Sequence, residues 1–189
     1  TFFTQLKVNT ERNAGSETGK IAVLDSGILS YRTPAQIRDE IGGTSHFING
    51  GFNYGVAGGN KVYFPLIGYN LEQSIPLGRI EYLSYVAPYD GYIKQVVVRS
   101  EEACDSTVVG FHKSSAGTEA PSGTASGTVT VDMSTDDTAY KFDFVNNLSI
   151  GGSRAFSAGD IINISFTPTN DANDGVFTVE FILDTSSGL

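Results

Sequence analysis

Few residues in this sequence have the types and spacing that catalysis requires. The chain has two histidines, His46 in a glycine-rich stretch and His112 on a predicted strand, so a Ser-His-Asp triad would have to use one of them. Neither histidine is accompanied by a nucleophile-elbow motif. We therefore expect no enzymatic activity, and a surface or partly hydrogen-bonded side chain is the ordinary explanation for each histidine.

Two loops resemble ligand-binding motifs but depart from them at essential positions. Residues 58–61 read Gly-Gly-Asn-Lys, without the Gly before Lys and the Ser or Thr after it that a phosphate loop needs, so we predict a turn. Residues 170–175 resemble the start of a calcium loop, but Ala172 stands at a ligand position and Phe181 replaces the bidentate Glu, which excludes an EF-hand. Cys104 is the only cysteine, so neither an intrachain disulfide nor a cysteine-rich metal site can form.

Acidic residues recur in three loops that an antiparallel fold would bring together. Each antiparallel strand carries the chain to the opposite end of its sheet, so alternate loops share an end. Loops 101–106, 134–137 and 169–174 then lie together and contribute Glu101, Glu102, Asp105, Asp136, Asp137, Asp171 and Asp174. Because crowded carboxylates repel one another, this acidic end is predicted to contact divalent cations or amine-bearing groups, and these seven residues are the cation candidates. A solvated acidic rim that keeps the head soluble is the more ordinary explanation of such a charge cluster, and no other cofactor is expected.

The opposite end offers a rival binding surface. Loops 87–90, 114–126 and 146–159 are rich in Ser, Gly and Thr and nearly free of acids, a composition that suits hydrogen bonding to sugars. Which end lies away from the N-terminal segment decides between the two surfaces.

Composition limits the partners of the chain. A net charge of −9 over 189 residues argues against nucleic acid and against an anionic membrane. No apolar run approaches the roughly 18 residues that cross a bilayer, so we expect no membrane insertion. The sequence begins Thr-Phe-Phe-Thr without an initiator Met, which leads us to expect a piece of a longer protein.

Alternating apolar residues predict an antiparallel β-sandwich or barrel from residue 61 to residue 189. The regular strands are predicted at 128–133, 139–145, 160–167 and 176–184. Their predicted inward residues are Val129, Val131, Met133, Tyr140, Phe142, Phe144, Ile162, Ile164, Phe166, Phe177, Val179, Phe181 and Leu183. Less regular strands are predicted at 62–67, 79–86, 91–100 and 107–113, with apolar residues on both faces, as at Val96, Val97 and Val98. Because a small two-layer domain cannot cover both faces, we expect another subunit to cover the second one. Tyr82 and Tyr85 are candidates for that interface. Turn residues at 88–91 and 157–160 predict two tight turns at strand entries.

The N-terminal residues 1–43 are predicted to form a strand-poor neck with one short helix at 34–41. Thr33 is a suitable N-cap, Pro34 suits the first helical position and Gly42 ends the helix. An eight-residue helix is marginal alone, and Ile37 and Ile41 form a narrow apolar stripe of the coiled-coil type. We therefore predict that copies of the chain associate through Ile37 and Ile41. Residues 44–60, with five glycines, are predicted to be a flexible linker.

Three short motifs resemble the C-terminal shaft and tip region of bacteriophage tail fibres, particularly those of marine and cyanobacterial phages. Residues 31–42 match the pattern YRT-x-x-QI-x-x-x-IG that joins a fibre shaft to its tip. The segment 63–71, the run Ala-Pro-Tyr-Asp-Gly-Tyr-Ile-Lys at 87–94, and residues 156–160 with 167–170 are similar to the β-rich tip. The resemblance implies a homotrimer with a slender neck and a jelly-roll-like head.

The same resemblance implies a non-enzymatic virion protein of the phage tail that attaches the phage to a polysaccharide or protein receptor on the bacterial surface. Its other partners would be virion tail proteins. One alternative is a purely structural virion component, either a capsid decoration or a neck protein. A polysaccharide depolymerase is a further alternative, for which paired carboxylates would have to line a groove.

Overall fold

The computed structural model describes residues 21–25, 28–32, 43–52, 56–67, 73–74, 83–115 and 123–188. The chain divides into two compact units, Thr1–Gly42 and Gly43–Leu189. Among the described residues, no helix is long and apolar enough to cross a bilayer.

The described part of the N-terminal unit is a β-hairpin. Strand β1 spans Ile21–Asp25 and pairs antiparallel with β2, Ile28–Arg32. The apolar alternation from Ile21 to Leu29 lies in this hairpin, and most other residues of the predicted strand-poor neck lie outside the described residues. The predicted helix at 34–41, with Ile37 and Ile41, lies outside the described residues.

The second unit consists of strands and loops. Its strands are β3 Thr44–Phe52, β4 Val62–Tyr63, β5 Gln73–Ser74, β6 Tyr85–Val86, β7 Tyr89–Arg99, β8 Asp105–Ser114, β9 Gly127–Met133, β10 Ala139–Asp143, β11 Ala155–Phe156, β12 Ile161–Thr167 and β13 Gly175–Gly188.

The strands form two antiparallel sheets with jelly-roll topology. Sheet I has the order β10-β7-β13-β3 with β11 beside β7, and sheet II has the order β5-β4-β12-β8-β9 with β6 beside β12. The pairing is nested along the chain, because β3 pairs with β13, β4 with β12, β7 with β10, and β8 with β9. Such nesting is how a long antiparallel ribbon rolls into a two-sheet sandwich. The predicted β-sandwich is confirmed.

Aromatic side chains fill the space between the two sheets. Phe64, which follows β4, stacks on Phe177 of sheet I with ring centroids 4.2 Å apart. Phe52 and Phe166 extend this stack, each within 5.6 Å of Phe64. The inward positions predicted from the alternation are confirmed as buried at Val129, Met133, Phe142, Phe144, Ile162, Ile164, Phe166, Phe177, Val179, Phe181 and Leu183. The predicted inward residues Val131 and Tyr140 are partly buried and pack against this core.

The outer face of sheet II is covered by the same chain, so the expected subunit contact is not needed there. Tyr63 and Leu83 are fully buried in a small second cluster on this side. Ser84 bonds Asn163 of β12, and Ala125 lies beside Gly110 of β8, where an added Cβ would be 3.1 Å from that of Ala125. The alternation could not reveal these covering segments, because they are distant in sequence. On sheet I, Val97 is half-buried on the outer face.

Two local predictions need correction. Residues 44–52 of the predicted linker are strand β3, paired with β13 over its whole length. The glycines there reflect packing, since a Cβ at Gly50 would lie 2.4 Å from the ring of Phe177. Residues 88–91 are not a tight turn, because β7 already begins at Tyr89. The predicted turn at 157–160 is confirmed by the bond from Asp160 N to Ser157 O and by the positive φ of Gly159.

Candidate functional site

His112 lies on the covered outer face of sheet II and is buried, with 1% of the residue exposed. Its Nε2 is 2.9 Å from Ser165 Oγ, a contact that superficially resembles a catalytic Ser-His pair. No carboxylate within the described part of the chain bonds its Nδ1. Since Ser165 is also buried, no substrate can reach the pair. Of the two ordinary explanations for His112, the partly hydrogen-bonded side chain is therefore confirmed and the surface position is not.

Burial, and to a smaller extent the nearby positive charge of Lys61, lowers the pKa of His112 to about 4. The imidazole is therefore neutral at physiological pH, and the ring packs against Tyr63 with centroids 5.2 Å apart. This arrangement stabilises the second cluster and offers no general base to solvent.

The other histidine is also part of the packing. His46 of β3 stacks on Tyr85, and Tyr85 stacks on Phe181 of the main core, with centroid distances of 5.4 and 5.5 Å. Tyr85, a candidate for the trimer interface, is thus held by contacts within its own chain. Its companion Tyr82 lies outside the described residues.

The three acidic loops lie together, as predicted. Glu101 N donates to Asn173 O, and Asp137 N donates to Ser100 O, so the first loop bonds to both of the others. Cys104 O accepts from Thr169 N and Asn170 N, which joins the first and third loops a second time. We keep the name acidic end for this end of the sandwich.

A fourth loop, residues 56–61, joins the acidic end and was not foreseen. Val56 and Ala172 form a β-bridge, and Gly58 N donates to Asp171 Oδ1 at 2.8 Å. Residues 58 and 59 form the predicted turn, in which Gly59 has a φ of +80°. The predicted linker at 44–60 gives this loop no fixed place, whereas a strand at 44–52 delivers the following residues to this end.

Several of the acidic side chains are engaged by neighbours. Asp137 forms a salt bridge with Arg99, Asp105 accepts a hydrogen bond from Asn170, and Asp171 accepts from the backbone of Gly58. Glu101, Glu102, Asp136 and Asp174 are exposed. Within the described ranges, no three His, Cys, Asp or Glu side chains come together as a possible metal-ligand group. The acidic end is therefore a hydrogen-bonded platform with carboxylates at its surface.

The platform contains a shallow depression of about 670 Å³. It is open to solvent and lined by residues 57–58, 102–103 and 169–171. The two carboxylates among these, those of Glu102 and Asp171, are both exposed, and that of Asp171 accepts a hydrogen bond from Gly58 N. Such a shape suits a small polar group better than an apolar ligand.

Three aspartates of the acidic end have left-handed backbones. Asp105, Asp137 and Asp174 have φ values of +50°, +55° and +34°, and they are the only non-glycine residues with positive φ in the described part of the chain. Asp tolerates this region better than most residues.

Replacing Asp174 with Val is expected to lower the free energy of unfolding by about 1–2 kcal/mol, because a β-branched side chain fits this backbone poorly. Asp174→Gly should be neutral or stabilising by up to about 1 kcal/mol. Urea denaturation measures both, with the same two substitutions at exposed Asp136, which lacks a positive φ, as controls. An equal loss of stability for Val at position 174 and at position 136 would contradict the assignment of backbone strain to Asp174.

The acidic end lies opposite the point at which the chain enters this unit. Strand β3 starts beside Leu183, near the end of β13, whereas β13 starts at Gly175 beside the acidic loops. Gly43 therefore lies at the other end, which we call the junction end. There Gly159 N donates to Ala87 O and Ser153 N to Ser126 O, so the described parts of the Ser/Gly/Thr-rich loops lie together at the junction end, as predicted.

Comparison with known proteins gives little help. No family model and no curated protein matches the sequence. Among solved structures, the chain is similar to one described as the structure of infectious bursal disease virus Gx strain, with 12% identity and a TM-score of 0.30. The match covers 88% of this chain but 37% of that one. A likeness at this level supports no conclusion about function.

Proposed function

We propose that this chain is the tip region of a bacteriophage tail fibre, a non-enzymatic virion protein that trimerises and attaches the phage to a receptor on the bacterial surface. The observation that carries the proposal is the acidic end: four interlocked loops present exposed carboxylates on the opposite end of the jelly roll from Gly43. If the N-terminal segment leads towards the virion, this end is presented outward.

The two ends of the head differ in what they can offer to a receptor. The Ser/Gly/Thr-rich loops lie at the junction end, beside the entry of the chain, which makes them the weaker candidate. At the acidic end, Glu101, Glu102, Asp136 and Asp174 leave carboxylate oxygens available to solvent. Carboxylates bind amines by charge-assisted hydrogen bonds and sugar hydroxyls by neutral ones, so a bacterial polysaccharide or a protein with basic side chains fits this surface. Three copies in a trimer would add avidity.

The proposal includes no cofactor. Because the described acidic residues do not converge into groups of three, attachment should not depend on a shared divalent cation. Adsorption of the purified chain to host cells should be unchanged by a chelator and weakened by high salt, which screens exposed charges. Loss of adsorption on chelation would instead restore the predicted cation contact.

A competition experiment separates attachment from the alternatives. The purified full chain should slow the adsorption of the phage that carries it, because the free chain and the virion would occupy the same receptors. A purely structural role, as a capsid decoration or neck protein, predicts no competition. A depolymerase predicts release of oligosaccharides from isolated surface polysaccharide, which we expect to be absent.

A further inference from the structure

Strand β3 leaves a long edge of the jelly roll without a partner among the described strands. It is the terminal strand of sheet I and pairs with β13 on one side over nine residues. No backbone hydrogen bond within the described part of the chain reaches its other side. One row of N–H and C=O groups is therefore available for pairing.

The other sheet edges are protected. Along β9, Ser149 exchanges hydrogen bonds with Thr128, and Ser153 N donates to Ser126 O just before the strand begins. Strand β10 has five residues and carries the charged Lys141 and Asp143, and β5 has two residues. Short length, charge and a covering loop are the usual means by which proteins prevent edge-to-edge association.

Within the described ranges, strand β3 has none of these protections. Its sequence, Thr-Ser-His-Phe-Ile-Asn-Gly-Gly-Phe, contains no charged residue and no proline. Phe47 is 55% exposed on the outer face of the sheet. An exposed edge that is long, uncharged and partly apolar is a template for another strand.

Glu180, the charged residue among those of β13 that pair with β3, is balanced by Lys94, although the whole chain carries a net charge of −9. Glu180, opposite Phe47 on β13, is 4% exposed and accepts hydrogen bonds from Ser45 Oγ, Lys94 Nζ and Gln95 Nε2. Two copies can therefore approach along β3 without the repulsion that the acidic end would produce.

We propose that β3 pairs antiparallel with β3 of a second copy, so that the two copies of sheet I join into one continuous sheet. In this arrangement Ile48 of one copy lies opposite Ile48 of the other, so that all nine residues of β3 pair. The contact is then two-fold symmetric and self-complementary. The two Phe47 side chains then lie diagonally on the same face, within the reach of aromatic rings, and cover each other. This contact goes beyond the proposed function: it would join heads of separate trimers and does not depend on receptor binding.

Hydrogen exchange of the full chain at a series of protein concentrations tests the pairing. In a strand, alternate amides point to opposite edges, so half of the β3 amides bond to β13 whether or not a second copy is present. The other half should exchange on the order of tenfold more slowly at high than at low concentration. Exchange of these amides that does not depend on concentration, whether fast or slow, would overturn the proposal.

A pair of variants tests the role of the edge itself. Phe47→Lys should abolish the concentration dependence of exchange and halve the largest assembly seen in sedimentation. Val176→Lys is the matched control, because Val176 is also 55% exposed on the outer face of sheet I but lies on the interior strand β13. It should change neither measurement. Equal disruption by the two variants would show docking through the sheet face and would overturn edge pairing.

Discussion

Replacing Phe64 with alanine is expected to lower the free energy of unfolding by about 3–5 kcal/mol, the largest effect of any single substitution that we consider. The ring is fully buried between the two sheets and stacks on Phe177 at 4.2 Å. Removing the ring loses the free energy that is gained when it is transferred from water into the core. It also leaves a cavity that the surrounding phenylalanines can only partly close. Urea denaturation at neutral pH measures the loss.

Phe47→Ala is the control for this substitution. Phe47 is 55% exposed, so its truncation should change the stability of the fold by no more than about 0.5 kcal/mol. A similar loss for the two variants would contradict the placement of Phe64 at the centre of the sandwich. Because edge pairing through β3 would add concentration-dependent stability, both proteins are compared at low concentration.

Acid should destabilise the protein through His112, by up to roughly 3 kcal/mol at pH 4. Burial lowers the pKa of this histidine from 6.5 to about 4 in the folded chain. Between these values the unfolded chain binds a proton that the folded chain does not. Stability from this group is therefore complete above pH 6.5, falls as the pH falls towards 4, and changes little below that.

The measurement is the free energy of unfolding from pH 7 to pH 4 for the wild type, His112→Phe and His46→Asn. The difference in slope isolates the histidine from the carboxylates, which titrate in all three proteins. His112→Phe should remove up to roughly 3 kcal/mol of the pH dependence even if it alters stability at pH 7. His46→Asn should retain the dependence. An unchanged slope for His112→Phe would show that His112 is not a buried neutral group.

Much of the fold could be predicted because its strands alternate strictly. Ile162, Ile164 and Phe166 show the period of two that identifies an inward face, and all three are fully buried. Because successive antiparallel strands run in opposite directions, counting the strands along the chain was sufficient to predict that loops 101–106, 134–137 and 169–174 lie at one end of the sandwich. That count needed no knowledge of strand order.

Other features depend on contacts between residues that are distant in sequence. Gly50 looks like part of a linker, but its lack of a side chain makes room for the ring of Phe177. His112 lies on the face of β8 opposite to the inward Val109 and Phe111, yet it is buried, because Leu83 and Ala125 come from segments that cover this face. The position of Gly43 at the end opposite the acidic loops can be predicted only when residues 44–52 are recognised as strand β3.

Adsorption of labelled full chain to host bacteria tests the central claim most directly. Three proteins are compared: the wild type, a Glu101→Lys and Glu102→Lys double variant of the acidic end, and a Ser153→Lys and Ser157→Lys double variant of the junction end. All four positions are exposed, so each pair adds lysines without disturbing the core. We predict saturable adsorption of the wild type and of the junction-end variant, and at least about tenfold weaker adsorption of the acidic-end variant, a difference of about 1.4 kcal/mol. Equal adsorption of the wild type and the acidic-end variant would contradict the assignment of the acidic end as the receptor-binding surface.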